Sequence, residues 1–288
     1  MIQTSTLQLL RFHFSFFLMP VYLFAISQLP KPAWARAVLI FCIFHLLVYP
    51  ASNGYNSYMD RDKGSIGGIK NPMQPTKQLF TVSLVMDGIA IVLSMMISTY
   101  FAIGILLYIL ASRAYSYRGI RLKKYPVAGY LTVVIFQGAV TFWLVYHGSH
   151  FPDITFQVPG TGMLASSLLI GGFYPLTQIY QHVADREEGV ITISALLGYR
   201  GTFVFTGTVY FFAFVVLAYH FIAGLEMRQF FILQIFMLPV LVYFFLWAVK
   251  VWKNTAHADF THTMKMNILA STCTNLAFLT LLILRIFE

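Results

Sequence analysis

The sequence predicts an all-α, polytopic membrane bundle of about nine transmembrane helices, and three observations predict it. First, 58% of the 288 residues are hydrophobic and only 10% are charged, whereas a soluble domain carries about 25% charged residues. A water-soluble fold of this size could not hide so much apolar surface. Second, the apolar runs reach roughly 20 residues, the length that crosses a bilayer as a helix. Third, these runs do not alternate between apolar and polar residues, as barrel strands would. Within lipid every backbone N–H and C=O must be satisfied internally, so helices remain.

The predicted spans, in order, are 6–29, 36–55, 79–97, 99–114, 126–147, 163–182, 203–223, 229–250 and 267–286. The first carries no charged n-region and no small-residue cleavage site, so it reads as a retained helix. Segment 79–114 is too long for one span and short for two. Charge decides its reading. Arg61, Lys63, Lys70 and Lys77 precede it, and Arg113, Arg118, Arg121, Lys123 and Lys124 follow it. A helical hairpin turning near Ser98–Gly104 puts both basic clusters on one side, as the positive-inside rule favours. Loops 185–202 and 251–266 fall on the same side, and the opposite loops hold only Lys31, Arg36 and Arg228. The basic side is therefore expected in the cytoplasm, with the bacterial inner membrane as the expected host. One domain, 1–288, is expected.

The formal charge of +9 does not indicate nucleic acid, because the basic residues sit in short juxtamembrane loops and no soluble basic domain exists to hold a duplex. Membrane lipid is the expected surrounding. Cys42 and Cys273 lie in apolar runs and read as buried thiols.

The chain has ten carboxylates. Six fall in the loops of the basic side: Asp60, Asp62, Asp185, Glu187, Glu188 and Asp259. Clustered carboxylates can hold Mg²⁺, a hard cation that commonly bridges to phosphates, and neighbouring Arg and Lys can take the remaining phosphate oxygens. Carboxylates and basic groups at the mouth of an apolar bundle suit a diphosphate head on a hydrocarbon tail. Ordinary interfacial charge is the bland alternative. Asp87, within the third span, reads as paired with a neighbouring helix or protonated. Arg11 and His13 open the first span, as phosphate or acceptor contacts or as interfacial anchors. Asn53 is placed to line a cavity; Gln137, Asn267 and Asn275 read as interhelical hydrogen bonds.

Two local patterns sharpen this reading. The first is Asn56-Ser57-Tyr58-Met59-Asp60-Arg61-Asp62, then Gly64 and Gly67-Gly68-Ile69-Lys70-Asn71-Pro72. The second is Gln178-Ile179-Tyr180-Gln181-His182-Val183-Ala184-Asp185-Arg186-Glu187-Glu188-Gly189, then Thr192 and Leu197-Gly198. Together they resemble the UbiA superfamily of intramembrane prenyltransferases, which has nine helices and aspartate-rich motifs after helices two and six. Asn56 and Asp60 match the Asn and the middle Asp of its first motif, while Ser57 and Gly64 replace two Asp positions and Asp62 is an extra carboxylate. Asp185, Arg186, Gly189 and Thr192 match the tail of its second motif; Gln181 stands where an Asp is expected, and Glu188 is placed to compensate. Tyr115-Ser116 and Arg121-Leu122-Lys123-Lys124 are similar to a segment thought to contact the diphosphate.

The resemblance implies a cavity open to the cytoplasmic face and Mg²⁺-assisted transfer of a prenyl group from a prenyl diphosphate to an aromatic or other lipophilic acceptor. Asn56, Asp60 and Asp185 are the implied catalytic residues, and Asn56, Asp60, Asp62, Asp185 and Glu188 the implied metal ligands. Asn53, Tyr115, Ser116, Arg121, Lys123, Lys124, Gln181, His182 and Arg11 are the implied substrate contacts. A membrane terpene cyclase of the same fold and a non-catalytic transporter or scaffold are the competing readings.

Overall fold

The structure is a computed structural model that describes residues 2–61 and 64–287. Its described residues form nine long helices: α1 Thr4–Ser27, α2 Trp34–Asp60, α3 Lys77–Met95, α4 Thr99–Ser116, α5 Pro126–Ser149, α6 Gly160–Gln178, α7 Ile193–Ala223, α8 Met227–Lys253 and α9 Phe260–Phe287. Eight are long and apolar enough to cross a membrane. The exception is α6, whose Gly, Ser, Thr, Pro and Gln residues dilute its hydropathy. These residues let neighbours approach closely, as small residues do between membrane helices: Thr206 of α7 donates to the Gly172 carbonyl at 2.9 Å.

Segment 77–116 is the expected hairpin. It turns at Met96–Ser98, and the Ser98 hydroxyl accepts the Phe101 amide at 3.0 Å to cap α4. Consequently the loop after α2 and the loop after α4 lie at one end of the bundle, where Arg118 Nε donates to the Met59 carbonyl at 2.9 Å. The loops after α6 and α8 join them: Arg200 donates to the Trp252 carbonyl at 2.8 Å. Arg36 sits at the opposite end, donating to the carbonyls of Gly148 and Pro152.

The core is aromatic, with Phe24, Phe44, Tyr49, Phe101, Phe142 and Trp247 fully buried. Outward residues such as Val92, Ile235 and Phe245 are more than half exposed; in the bilayer their solvent is lipid. Between α1 and α6–α9 lies an apolar cavity of about 310 Å³, lined by Phe17, Phe24, Phe173, Phe214, Phe244 and Phe278 among others.

Three departures from regular helix shape the motif end. Helix α1 is interrupted at Arg11, which adopts the left-handed region (φ 50°, ψ 48°). Helix α2 stops at Arg61, also left-handed (φ 54°), with its amide on the Ser57 carbonyl. Arg121 is left-handed too (φ 49°). Such backbone is uncommon outside glycine and costs on the order of 1–3 kcal/mol per residue. All three residues lie around the two motifs.

Candidate active site

The first motif occupies the last turns of α2. Asn53, Asn56 and Asp60 follow a 3–4 spacing, so they form one stripe on the helix. The helix ends at once after Asp60, so a carboxylate lies beside unpaired terminal carbonyls. That is the negative end of the helix dipole and an attractive position for a cation. Asp60 is 5% exposed. Lys123 Nζ is 2.5 Å from Asp60 Oδ2, and an Arg121 amino group is 3.6 Å from Oδ1. No described hydrogen-bond donor satisfies Asp60 Oδ1.

The second motif is built by local backbone chemistry. The short helix His182–Glu187 is closed by Gly189 in the left-handed region (φ 67°). The Val190 amide bonds the Asp185 carbonyl at 2.8 Å and the Gly189 amide the Arg186 carbonyl at 3.0 Å. This paired closure is the usual reason for a glycine at that place. Thr192 then caps α7, its hydroxyl accepting the Ala195 amide at 3.2 Å. The Asp-Arg-x-x-Gly-x-x-Thr pattern is thus a turn specification that holds Asp185 in the short helix between α6 and α7.

The two motifs meet. Arg11, Asn56, Asp60, Tyr115, Lys123, Gln181 and Asp185 line one polar cavity of about 130 Å³. Its cover is the loop after α2. Gln181 Nε2 donates to the Ser65 carbonyl at 3.1 Å, and Arg11 donates to the carbonyls of Gly67 at 3.4 Å and Asn53 at 3.2 Å. Ile66 and Ile69 of this loop are buried against Leu9, Leu10, Ala51 and Leu79. The break in α1 is what turns the Arg11 guanidinium into the site.

A side cavity of about 170 Å³ adjoins it, sharing Arg11, Asn56, Tyr115 and Tyr174. Asn53, Ser116 and Gln137 line it. Ser116 donates to Asn56 Oδ1 at 2.7 Å, which orients the Asn56 amide.

Several predicted site residues lie elsewhere. Lys124 is exposed and lines neither cavity. His182 is buried and turned into the α7 kink, bonding Ser194 Oγ at 2.7 Å and stacking on Tyr199. Glu188 sits on the rim, ion-paired to Arg121. His13 is exposed. Asp62 lies outside the described residues. Asp87 is paired with Arg113. Asn275 bonds the Phe16 carbonyl at 3.2 Å, an interhelical bond of the expected kind, whereas Asn267 lines the polar cavity.

Two further lining residues carry no role in the sequence reading: Tyr174, which lies outside both patterns, and Gln178, which opens the second one. Tyr174 and Gln178 line the polar cavity; the Tyr115 and Tyr174 hydroxyls are hydrogen-bonded, and Gln178 Nε2 donates to Tyr174 at 2.8 Å. Their signal was available: Tyr174, Gln178, Gln181 and Asp185 repeat at 4, 3 and 4 residues, a polar helical stripe.

The sequence profile of the UbiA prenyltransferase family matches residues 16–269. The chain belongs to the UbiA prenyltransferase family. No curated protein sequence matches it, but solved UbiA-type structures do. A UbiA homologue from Archaeoglobus fulgidus bound to GPP and Mg²⁺ superposes with a TM-score of 0.69 at 18% identity, over 97% of this chain and 99% of that one. An apo UbiA homologue from Aeropyrum pernix K1 gives 0.67 at 19% identity, over 93% and 97%. Digeranylgeranylglyceryl phosphate synthase gives 0.64 at 18% identity, over 97% and 98%. The UbiA fold is therefore shared along the whole bundle, and in this UbiA-family chain both motif segments fall at one mouth.

The donor set of the polar cavity fits Mg²⁺. Asn56, Asp60, Gln181 and Asp185 offer oxygen donors, the ligands a hard cation takes. Asp60 Oδ1, buried with no hydrogen bond from the described residues, is an oxygen that such a cation would satisfy.

Proposed function

We propose that this chain is a Mg²⁺-dependent intramembrane prenyltransferase that moves a prenyl group from a prenyl diphosphate to a lipophilic acceptor. One observation carries the reading: Asp60 and Asp185, 125 positions apart in sequence, line one cavity together with Lys123 and Arg11. Carboxylates that face each other across a small cavity repel unless a cation lies between them. Basic groups beside them supply the partners of a phosphate. The UbiA homologue from Archaeoglobus fulgidus was solved with GPP and Mg²⁺, and with DMAPP and Mg²⁺.

Asn56, Asp60, Asp185 and Gln181 would hold the metal, which neutralises charge on the leaving diphosphate. Lys123 and Arg11 bind phosphate oxygens, and Arg121, held by Glu188, supports Asp60 from the rim. As the allylic C–O bond lengthens, these fixed cations stabilise the growing negative charge with little reorganisation. The Tyr115–Tyr174–Gln178 chain keeps the cavity wall polar and ordered. The apolar cavity between α1 and α6–α9 receives the hydrocarbon tail and excludes water from the cation. The acceptor head enters the side cavity, whose Asn53, Ser116 and Gln137 can hydrogen-bond it without adding charge.

The test is product analysis by mass spectrometry after incubation with geranyl, farnesyl and geranylgeranyl diphosphates, with and without Mg²⁺ and membrane lipid extract. Mg²⁺-dependent diphosphate release is expected, and it should vanish in Asp60→Ala and in Asp185→Ala while both remain folded. Full activity in both variants would defeat the assignment. A cyclic hydrocarbon formed without an acceptor would convert the reading to a cyclase.

A further inference from the structure

Helix α8 ends at Lys253 and α9 begins at Phe260. The connection between them is a single turn, Thr255–His257. It and the first turn of α9 carry three ligand-type side chains in the pattern His257-x-Asp259-x-x-His262. One ligand atom from each lies within 4.8 Å of the other two. We propose that His257, Asp259 and His262 form a second metal site, selective for a borderline transition-metal ion of the Zn²⁺ class rather than for Mg²⁺.

Chemistry sets the selectivity. Two imidazoles and one carboxylate are the ligands of open Zn²⁺ sites, with a fourth place left to water. Mg²⁺ demands oxygen ligands and gives up water reluctantly. Tetrahedral bonds of about 2.0–2.1 Å put ligand atoms about 3.4 Å apart. His262 Nδ1 and Asp259 Oδ2 are already 2.9 Å apart, and small rotations bring in His257. In the metal-free chain a proton occupies that His262–Asp259 contact, and the ion would take its place.

The site is also preorganised. The Asn254 side chain accepts the Ala256 amide at 2.9 Å and fixes the turn. Trp247, fully buried, donates to the His257 carbonyl at 2.8 Å and lies parallel to the His262 ring. Asp259 Oδ1 accepts the His262 amide at 2.8 Å, capping α9 and aiming its other oxygen at the His262 ring. Capping and the His262 pair account for Asp259 and His262. They leave His257 unexplained, although its ring stands edge-on to His262 at 5.5 Å. All three side chains are part-exposed, so an ion can enter.

The position gives such a site a consequence. Phe260 packs edge-on against Tyr180 at 5.2 Å, and Tyr180 lines the polar cavity, as do Met264 and Asn267 one and two turns further along α9. An ion at the α8–α9 turn would fix one wall of that cavity without touching Asp60 or Asp185.

The experiment uses the full chain without a polyhistidine tag, in detergent or nanodiscs, stripped with chelator. Zn²⁺ is titrated calorimetrically in excess Mg²⁺, and Co²⁺ is used as a visible probe. One equivalent of Zn²⁺ is expected, unaffected by Mg²⁺, with Co²⁺ giving the intense absorption of a low-coordinate site. His257→Ala and Asp259→Asn should each weaken Zn²⁺ by more than the ~10–100-fold that losing an outer-shell partner costs. Both variants keep the α9 cap oxygen, and unchanged melting without Zn²⁺ verifies that they fold. Absence of Zn²⁺ binding in the wild type, its loss in excess Mg²⁺, or wild-type affinity for Zn²⁺ in either folded variant would overturn the proposal.

Discussion

Asp60 and Asp87 are both buried carboxylates with a basic partner from α4 or the loop after it, yet they read as opposite kinds of residue. Asp60 is 5% exposed and Asp87 6%. Asp60 pairs with Lys123 and Arg121, and Asp87 with Arg113. The difference is what lies on the open side. Asp60 borders a polar cavity with Asp185 and Gln181 across it. Asp87 borders none of the cavities described above, and its Arg113 is sealed by the Tyr55 ring, 4.1 Å from the guanidinium. Burial and pairing therefore do not mark a catalytic carboxylate; a cavity that lets a ligand exchange for the basic partner does. Asp87–Arg113 ties α3 to α4 at the level where Tyr55 of α2 leads into the first motif. It works as a brace.

Neutralising each carboxylate tests this contrast. Asp60→Asn keeps the shape and removes the charge, and should cut prenyl diphosphate turnover by ~10³-fold, the scale of losing a central electrostatic group. Its thermal midpoint should change little, because Lys123 lines the open cavity and Arg121 keeps its ion pair with Glu188. Asp87→Asn should do the reverse. It leaves a buried guanidinium without its counter-charge and should cost about 3 kcal/mol of stability, read as a drop in melting temperature, while turnover per folded molecule stays within ~3-fold. A double Asp87→Leu, Arg113→Met replacement should restore stability, since a well-packed apolar pair can match a buried ion pair. If instead Asp87→Asn loses turnover at full stability, the distinction between the two carboxylates fails.

The same contrast shows how much was legible beforehand. Eight apolar spans and the split of 77–116 into two helices follow from apolar run length and charge alone, because lipid leaves a chain few alternatives, whereas α6 falls short in apolar character and is a helix all the same. The meeting of Asn56, Asp60, Gln181 and Asp185 came from short motifs that specify helix ends and turns. The partner of Asp87 was not legible: Arg113 lies 26 residues away, and it reads equally well as one more cation of the basic loop. His182 neighbours the motif along the chain but not in space, because its ring turns away from the cavity to Ser194. The left-handed turns at Arg11, Arg61 and Arg121 carry no glycine signal, so the break in α1 that brings Arg11 into the cavity is visible only in three dimensions.

Lys123 sharpens the comparison on the substrate side. In the free protein its ammonium neutralises Asp60. In the proposed complex, metal takes over that task and Lys123 turns to phosphate. Lys123→Gln should therefore raise KM for the prenyl diphosphate by about 10-fold, the value of one charge-assisted contact, with a smaller fall in kcat. It should also strengthen Mg²⁺ binding to the substrate-free protein, because a competing cation is gone. Steady-state kinetics at several Mg²⁺ concentrations separates the two effects, and a change in kcat alone would place Lys123 outside the phosphate contacts.

The smallest effect is expected at His182, beside Asp185 three positions away in sequence. Its Nε2 bonds Ser194 Oγ, which in turn bonds Thr202 at 3.1 Å across the non-helical Gly198 of α7 (φ 69°, ψ 176°). That chain of hydrogen bonds supplies partners to side chains at a point where the helix interrupts its own bonding, so the imidazole serves the kink rather than a proton transfer. His182→Gln retains a donor and acceptor of similar reach and should alter turnover by less than ~3-fold, with no new inflection in the pH–rate profile. His182→Ala leaves the Ser194 hydroxyl short of one buried partner, while Thr202 keeps the Gly198 carbonyl at 2.7 Å, and should cost about 1–3 kcal/mol of stability, again without a change in pH profile. A lost limb in the pH–rate profile of the folded Gln variant would move His182 back among the groups that act on substrate.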